Sequence, residues 1–230
     1  MVEKTLIIGM GEVGKALYEV LKDYYEVATI DKNSNKVGQF DILHICFPYS
    51  KEFISQVKKY QKQYRPKYTI IHSTVPVGTS RKCHAIHSPI IGQHPDLAKC
   101  IKIFVKYLAG EKASEVADYF RKAGIKIYLF DRPEASELYK LLETNFGFLE
   151  AEYTKEVKRQ CDKYKVPFEG WTIYLQNEND GYQKYGYPEY VRAILTPIMT
   201  KVGGHCLTPN LDLIDTSFNH FLKKINDIRC

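Results

Sequence analysis

The chain has 230 residues, 44% of them hydrophobic and 26% charged, and a formal net charge of +6 at pH 7. These fractions are typical of a folded globular protein, and the length suits one ordinary domain plus a smaller one. No apolar run approaches the roughly 20 residues that span a bilayer, and strand-forming residues begin at Leu6, which leaves no room for a secretion signal. We therefore expect a cytoplasmic protein without a membrane segment.

The six cysteines are scattered, without a CxxC pair or a metal-ligand spacing. This pattern predicts free thiols in a reducing compartment, with neither a disulfide framework nor a metal site. Basic residues are interleaved with acidic ones, as in the segment 152–158. Solvated helix faces therefore explain the positive charge better than nucleic-acid binding does.

Short β-rich apolar runs alternate with amphipathic segments between residues 5 and 130. Runs that are apolar on both faces are typical of parallel strands covered on both sides by helices. The alternation predicts an α/β fold with a Rossmann-type, doubly wound, mostly parallel sheet. The predicted strands are 5–9, 25–30, 41–47, 68–73, 104–109 and 126–130, and the predicted helices are 11–22, 51–63 and 113–122.

The character of the sequence changes after residue 132. Residues 134–164 contain no proline and carry apolar side chains at helical spacing, which predicts one long helix. The rest is expected to be helical and loop-rich, with a final helix over 211–225. The predicted domains are a Rossmann domain, 1–132, and a smaller helical domain, 133–230.

Gly9, Gly11 and Gly14 form a G-x-G-x-x-G motif between the first strand and the first helix, and Asp31 ends the second strand. In such a motif the first glycine permits a tight turn, the second lets the backbone approach a pyrophosphate, and the third lets the helix pack close to the strand. The Asp31 carboxylate can accept hydrogen bonds from both ribose hydroxyls and would repel a 2′-phosphate. The motif predicts NAD rather than NADP, with a Rossmann-like sheet that binds no dinucleotide as the alternative.

Three later segments follow the glycine motif: Ser73-Thr-Val-Pro-Val-Gly-Thr79, Glu137-Leu-Tyr-Lys-Leu-Leu-Glu143 and Gly203-Gly-His-Cys-Leu-Thr-Pro-Asn210. In this order they resemble the UDP-glucose and UDP-N-acetylmannosamine dehydrogenase family of nucleotide-sugar oxidoreductases, and the GGHC segment is the most specific of them. The resemblance covers essentially the whole chain, as that family's cofactor domain and central helical region. It implies two NAD-dependent hydride removals that convert a primary alcohol into a carboxylate through a thioester on cysteine.

The resemblance implies three catalytic residues. Cys206 would be the nucleophile, Lys140 would stabilise the developing oxyanion, and Thr74 would position water or substrate near the nicotinamide. Without the resemblance, they would be interpreted as an inert buried thiol, a solvated helix lysine and a strand-end cap. Glu137 lies one turn before Lys140, so an ion pair and a catalytic role are both open. The predicted cofactor-binding residues are Gly9, Gly11, Glu12, Val13, Gly14, Asp31, Pro48, Ser73 and Thr74.

The chain departs from the family pattern at positions that serve thioester hydrolysis. Asn210 stands in place of an acid, and Pro89-Ile90 stands in place of the Pro-Glu pair that supplies a water-activating carboxylate. Without that carboxylate the hydrolysis lacks its usual base, although His87 and His94 lie near the segment. The family's third domain, which binds the nucleotide of the substrate, also has no counterpart, so the chain resembles a shortened form.

These observations predict an NAD-dependent dehydrogenase that acts on a CH–OH group of a nucleotide sugar or small hydroxy acid and stops short of the four-electron reaction. One alternative is a catalytically impaired NAD-binding scaffold. Another resembles β-hydroxyacid dehydrogenases and uses Lys140 without a cysteine nucleophile. Because such families usually dimerise through the long helix, we expect a homodimer.

Overall fold

The computed structural model describes residues 3–31, 36–203 and 207–228. The chain divides into two compact units, Met1–Leu141 and Leu142–Cys230. This division falls inside the long helix, later than the domain boundary predicted at residue 132, which stays a prediction. Among the described residues, no helix has both the length and the apolar character that crossing a membrane requires.

The first unit contains a sheet whose strands follow the order β2-β1-β3-β4-β5-β6-β7. All neighbouring strands pair in parallel except β5 and β6, which are antiparallel. The predicted α/β class with a doubly wound, mostly parallel sheet is therefore confirmed. The strands are β1 (Lys4–Ile8), β2 (Glu26–Ile30), β3 (Ile42–Ile45), β4 (Tyr68–Ile71), β5 (Ile86–His87), β6 (Lys106–Ala109) and β7 (Ile127–Phe130).

Helices cover both faces of this sheet because successive side chains of a strand point to opposite faces. On β1, Ile7 packs into a core with helices α1, α4 and α5, whereas Leu6 and Ile8 pack into a second core with α2. Burying each such side chain contributes about 1.5–3 kcal/mol, so the two cores hold the sheet from both sides. The helices are α1 (Glu12–Leu21), α2 (Phe53–Tyr64), α3 (Thr79–Lys82), α4 (Leu97–Ile103) and α5 (Ala117–Lys122).

Helix α6 (Pro133–Tyr164) occupies the segment predicted as one long helix and carries residues of both units. The second unit has a small core of Phe148, Leu211 and Leu222. Its other helices are α7 (Phe168–Tyr185), α8 (Leu207–Asn210) and α9 (Ser217–Ile228).

The final helix begins later than predicted. The segment 211–225 was expected to be helical, but α9 starts at Ser217. The reason is local, because the Thr216 hydroxyl accepts a hydrogen bond from the Asn219 backbone N–H at 3.0 Å. That bond caps the helix at Thr216 and leaves the preceding residues in turns.

Candidate active site

The predicted cofactor residues meet at the carboxyl edge of the parallel strands. The Gly9 N–H donates to the Ile30 carbonyl at 2.9 Å, and the Cys46 N–H donates to the Ile8 carbonyl at 2.8 Å. The turn after β1 therefore lies between the segments that follow β2 and β3, and Asp31 is the exposed residue directly after β2. In doubly wound sheets, ligands bind in this crevice, where the strand order reverses.

The three glycines of the motif meet different surroundings. Gly9 has a φ of +96°, and a Cβ there would lie 2.9 Å from the Phe47 nitrogen. A Cβ on Gly14 would lie 1.9 Å from the Gly9 carbonyl oxygen. In contrast, a Cβ on Gly11 would meet no atom of the described residues within 4 Å. The packing of the fold requires glycine at Gly9 and Gly14, whereas at Gly11 the structure leaves open space.

This open space faces the start of helix α1. Gly11 is the N-cap residue and supplies no side chain to the N–H groups of the first turn. Those groups carry the positive end of the helix dipole, which favours a negatively charged group beside them. The residues present therefore fit a dinucleotide pyrophosphate, because the backbone is open at Gly11 and its donors have no side-chain cap.

Glu12 and Val13 lie in the same first turn but have structural contacts of their own. The Glu12 carboxylate lies 2.8 Å from Nδ1 of His94, and the half-buried Val13 side chain packs against the core. The His94 ring, one of the two histidines near the Pro89-Ile90 segment, is thus paired with Glu12 at the helix end. These two residues can face a cofactor through their backbone N–H groups.

The ends of β3 and β4 are joined by a side chain. The Ser73 hydroxyl donates to the Phe47 carbonyl at 2.6 Å, so its oxygen is used within the protein. Pro48 is exposed beside this contact, and Thr74 is half-buried one residue further along. The structure therefore brings Pro48, Ser73 and Thr74 to the same sheet edge as the glycine turn.

The first two turns of helix α6 are fastened to the segment that follows β4. The buried Glu137 carboxylate accepts hydrogen bonds from the backbone N–H groups of Gly78 at 2.6 Å and Ser80 at 2.7 Å. Glu134, one turn earlier, forms an ion pair with Arg81. Both Glu137 oxygens therefore anchor the loop that follows β4 to helix α6.

His87 makes a further connection between α6 and the end of β4. Its Nδ1 lies 2.6 Å from the Ser136 hydroxyl, and its Nε2 lies 3.3 Å from the Ser73 carbonyl. Burial lowers the pKa of His87 to about 3, and the positive charges of Lys106 and Lys140 act in the same direction. His87 is therefore a neutral, fully engaged side chain, and the half-buried Lys140 lies within electrostatic range of it.

Cys206 lies outside the described residues, together with the two residues before it. Its assignment as a nucleophile stays a prediction. Asn210, which stands where the family has an acid, is buried in the second unit.

A buried chain of polar side chains crosses one face of the sheet, and sequence reasoning missed it. His44 Nδ1 lies 2.8 Å from His72 Nε2, and His44 Nε2 lies 3.1 Å from the Tyr119 hydroxyl. The Tyr119 hydroxyl lies 3.0 Å from the Thr5 hydroxyl. Burial lowers the pKa of His44 to about 3, so both ring nitrogens serve as neutral hydrogen-bonding groups. The only signal in the sequence is a histidine inside an apolar strand.

Lys106, at the start of β6, is the last member of this series of hydrogen-bonded side chains, and it is only 4% exposed. Its ammonium nitrogen lies 3.2 Å from the Ser88 carbonyl and 3.3 Å from His72 Nδ1. Burial lowers the pKa of Lys106 to about 7, because no carboxylate among its described contacts compensates the lost hydration. A lysine in this state is available as a neutral amine near physiological pH.

The fold resembles those of solved dehydrogenases, although no protein-family model and no curated protein sequence matches the chain. UDP-D-ManNAc dehydrogenase from Pyrococcus horikoshii superimposes with a TM-score of 0.77 at 15% identity, covering 97% of this chain and 68% of its own. A UDP-glucose dehydrogenase from Pyrobaculum islandicum gives a TM-score of 0.75 at 13% identity, covering 99% of this chain and 68% of its own.

A third structure has almost the same length as this chain. It is the conserved protein MTH1747, of unknown function and described as structurally similar to 3-hydroxyacid dehydrogenases. Its TM-score is 0.69 at 10% identity, and the match covers 98% of this chain and 96% of that one. At such identities the comparisons define the class of fold, a dehydrogenase-like Rossmann fold. The chain spans about two thirds of the length of the nucleotide-sugar dehydrogenases that it resembles.

Proposed function

We propose that this chain is an NAD-dependent dehydrogenase that oxidises an alcohol of a nucleotide sugar or of a small hydroxy acid. The observation that carries the proposal is the open space at Gly11, at the edge that also holds Asp31 and Thr74. Packing does not require glycine at this position, whereas a pyrophosphate that approaches the backbone at the start of α1 does. The dehydrogenase-like fold supports the same reaction class.

The cofactor would be held by groups of the first unit alone. The backbone at Gly11 and the first turn of α1 would bind the pyrophosphate, and the Asp31 carboxylate would accept hydrogen bonds from the adenine ribose. A carboxylate at that place repels a 2′-phosphate, which favours NAD over NADP. When bound, NAD supplies an acceptor for the hydride that leaves the alcohol carbon.

Lys140 is the residue that would act on the substrate oxygen. Its helix is anchored through Glu137 and His87 to the loop that carries Thr74, so the lysine is positioned by a rigid element. An ammonium group in such a place stabilises a developing oxyanion, and a neutral amine takes the alcohol proton. Thr74 would orient the hydroxyl, and Cys206 would add a second oxidation step if it acts as the nucleophile.

The test is NADH formation on a panel of nucleotide sugars and hydroxy acids. We expect turnover with the wild-type protein and a loss of kcat of about 100-fold or more in Lys140→Met, the effect of removing one oxyanion-stabilising group. Lys59→Met, which removes an exposed lysine on α2, is the matched control and should keep full activity. NAD binding without turnover on any substrate would overturn the enzyme assignment and leave a binding scaffold.

A second candidate function follows from the comparison with MTH1747, which has nearly the same length. A hydroxyacid-dehydrogenase-like enzyme would use Lys140 alone. In that case Cys206→Ala would retain full activity on hydroxy acids, whereas a thioester mechanism would lose the second oxidation step in this variant.

A further inference from the structure

A cavity of about 600 Å³ opens in the first unit, at the amino edge of the parallel strands. Thr69 at the start of β4 and Ile86 at the start of β5 form its floor. Because β6 runs antiparallel to β5, the segments after β6 and β7 return to this edge, and Gly110 and Pro133 line the cavity there. The cavity therefore lies at the edge opposite to the glycine turn, and its volume is typical of small-molecule sites.

Cationic side chains dominate the wall of this cavity. Five of the lining residues are arginine or lysine, and two are acidic, Glu111 and Asp131. Two of the arginines already have a partner, because Arg81 and Arg132 both contact the Glu134 carboxylate. Among the described residues, the other three form no ion pair with a carboxylate; they are Arg65, Lys67 and Lys112. The wall thus retains positive charge after its internal pairs are counted.

Two lining residues are held in a backbone conformation that their side chains disfavour. Arg65 has a φ of 46° and His84 a φ of 48°, both in the left-handed region. Of the described residues other than glycine, only Lys165 shares a positive φ. The left-handed conformation costs a residue with a Cβ about 1–2 kcal/mol, and glycine is the usual residue where a helix ends as α2 does at Arg65. The fold therefore tolerates a conformational cost at two residues that line the cavity.

We propose that this cavity binds a phosphorylated small molecule with at least two negative charges. The guanidinium group of Arg65 matches phosphate oxygens with paired donors, and Lys67 and Lys112 add two positive charges to a wall in which cations outnumber the acidic Glu111 and Asp131. The concave shape favours a small molecule over an extended nucleic-acid backbone. The site is separate from the dinucleotide edge, so it does not depend on the function proposed above.

The test is a calorimetric titration of the purified protein with inorganic pyrophosphate, followed by ribose 5-phosphate and inorganic phosphate. We expect pyrophosphate to bind and Lys112→Glu to weaken it about tenfold or more, the effect of losing roughly 1.4 kcal/mol of interaction. Lys59→Glu makes the same charge change on an exposed face of α2 and should bind as the wild type does. Comparison with ribose 5-phosphate and inorganic phosphate shows whether one phosphate group is enough for binding.

Arg65→Gly separates binding from folding. Glycine relieves the left-handed strain, so this variant should unfold at the same or higher urea concentration than the wild type and yet bind pyrophosphate about tenfold more weakly. Because the glycine turn is itself proposed to bind a pyrophosphate group, the titration is repeated with Gly11→Ala and with the double variant Gly11→Ala/Lys112→Glu. Binding that persists in the first and weakens about tenfold in the second belongs to the cavity.

Three results would overturn the proposal: no binding to the wild type, equal weakening by Lys59→Glu, or loss of binding in Gly11→Ala alone. The last result would place the anion at the glycine turn.

Discussion

At the residue scale, the glycine motif contains two kinds of glycine with different predicted effects on substitution. Gly14→Ala places a Cβ 1.9 Å from the Gly9 carbonyl oxygen, so α1 must move away from β1. We expect the free energy of unfolding to fall by about 1–3 kcal/mol, as for other overpacked positions. Urea denaturation measures this. Gly170→Ala, on α7 with no atom within 4 Å of the new Cβ, is the control and should be neutral or slightly stabilising.

Buried Lys106 gives a prediction about pH. Its pKa is about 7 in the folded protein against 10.5 for an ordinary lysine, so between these values the unfolded chain binds one more proton than the folded one. The free energy of unfolding should therefore rise with pH, by up to about 1.4 kcal/mol per pH unit from this group. Unfolding of wild type and Lys106→Met, compared from about pH 7.5 to 8.5, measures the difference in slope.

Equal pH slopes in the two proteins would show that Lys106 stays protonated in the fold. The methionine variant should also be the more stable protein at neutral pH, because it fills a similar volume without a buried amine.

Some residues of the candidate site can be recognised from the sequence alone, and others cannot. Gly9, Gly14 and Asp31 can be recognised in the sequence because their roles depend only on neighbouring segments of the chain. These roles are a tight turn, close packing of a helix on a strand, and the end of a strand. The bonds of Glu137 to Gly78 and Ser80 join residues far apart in the chain, so they depend on how α6 lies against the sheet. No local pattern encodes that geometry.

At the element scale, the long apolar runs predict their strands well because burial on both faces selects β-branched residues. Strand β5 has only two residues and leaves no periodic signal. The late start of α9 shows the opposite case, in which one hydroxyl, that of Thr216, decides where a helix begins. Periodicity therefore predicts which elements exist better than it predicts their ends.

Helix α6 carries an apolar stripe in the second unit that bears on the expected homodimer. Leu142, Phe146 and Tyr153 are 47%, 58% and 59% exposed, and their spacing places them on one side of the helix. We propose that a second copy of the chain covers this stripe, since exposed apolar side chains at this spacing are typical of helix pairing.

Phe146→Lys should convert a dimer to a monomer, because it places a charge in the middle of the stripe. Light scattering measures the mass. Thr154→Lys, about a quarter turn away from the stripe on the same helix, is the control and should remain dimeric. A monomeric wild-type protein would remove the proposal.

At the scale of the whole molecule, the two edges of the sheet in the first unit differ in chemistry. The carboxyl edge has open backbone at Gly11, the acidic Asp31, and α6 fastened beside it. The amino edge has a basic cavity whose wall includes Arg65 and Lys112. The features of the carboxyl edge are those expected of a dehydrogenase-like fold. The positive charge of the cavity at the amino edge comes from the side chains of this chain.

The residues expected at the carboxyl edge can be predicted from the sequence because a dinucleotide motif is local, contained in one strand, one turn and one helix. The basic cavity at the amino edge cannot be predicted in this way, because it is assembled from the ends of β6 and β7 and the starts of β4 and β5. The reversal at β6 that brings these ends together has no signature in the composition of the strands.

The most direct test of the central claim is a fluorescence titration with NADH of three proteins: wild type, Gly11→Ala and Gly170→Ala. Both variants should keep the fold, because neither alanine meets an atom of the described residues within 4 Å. We expect wild type and Gly170→Ala to bind NADH alike and Gly11→Ala to bind it about tenfold more weakly or worse, since its Cβ enters the space for the pyrophosphate. NADH affinity that is equal in all three proteins, or absent from the wild type, would contradict it.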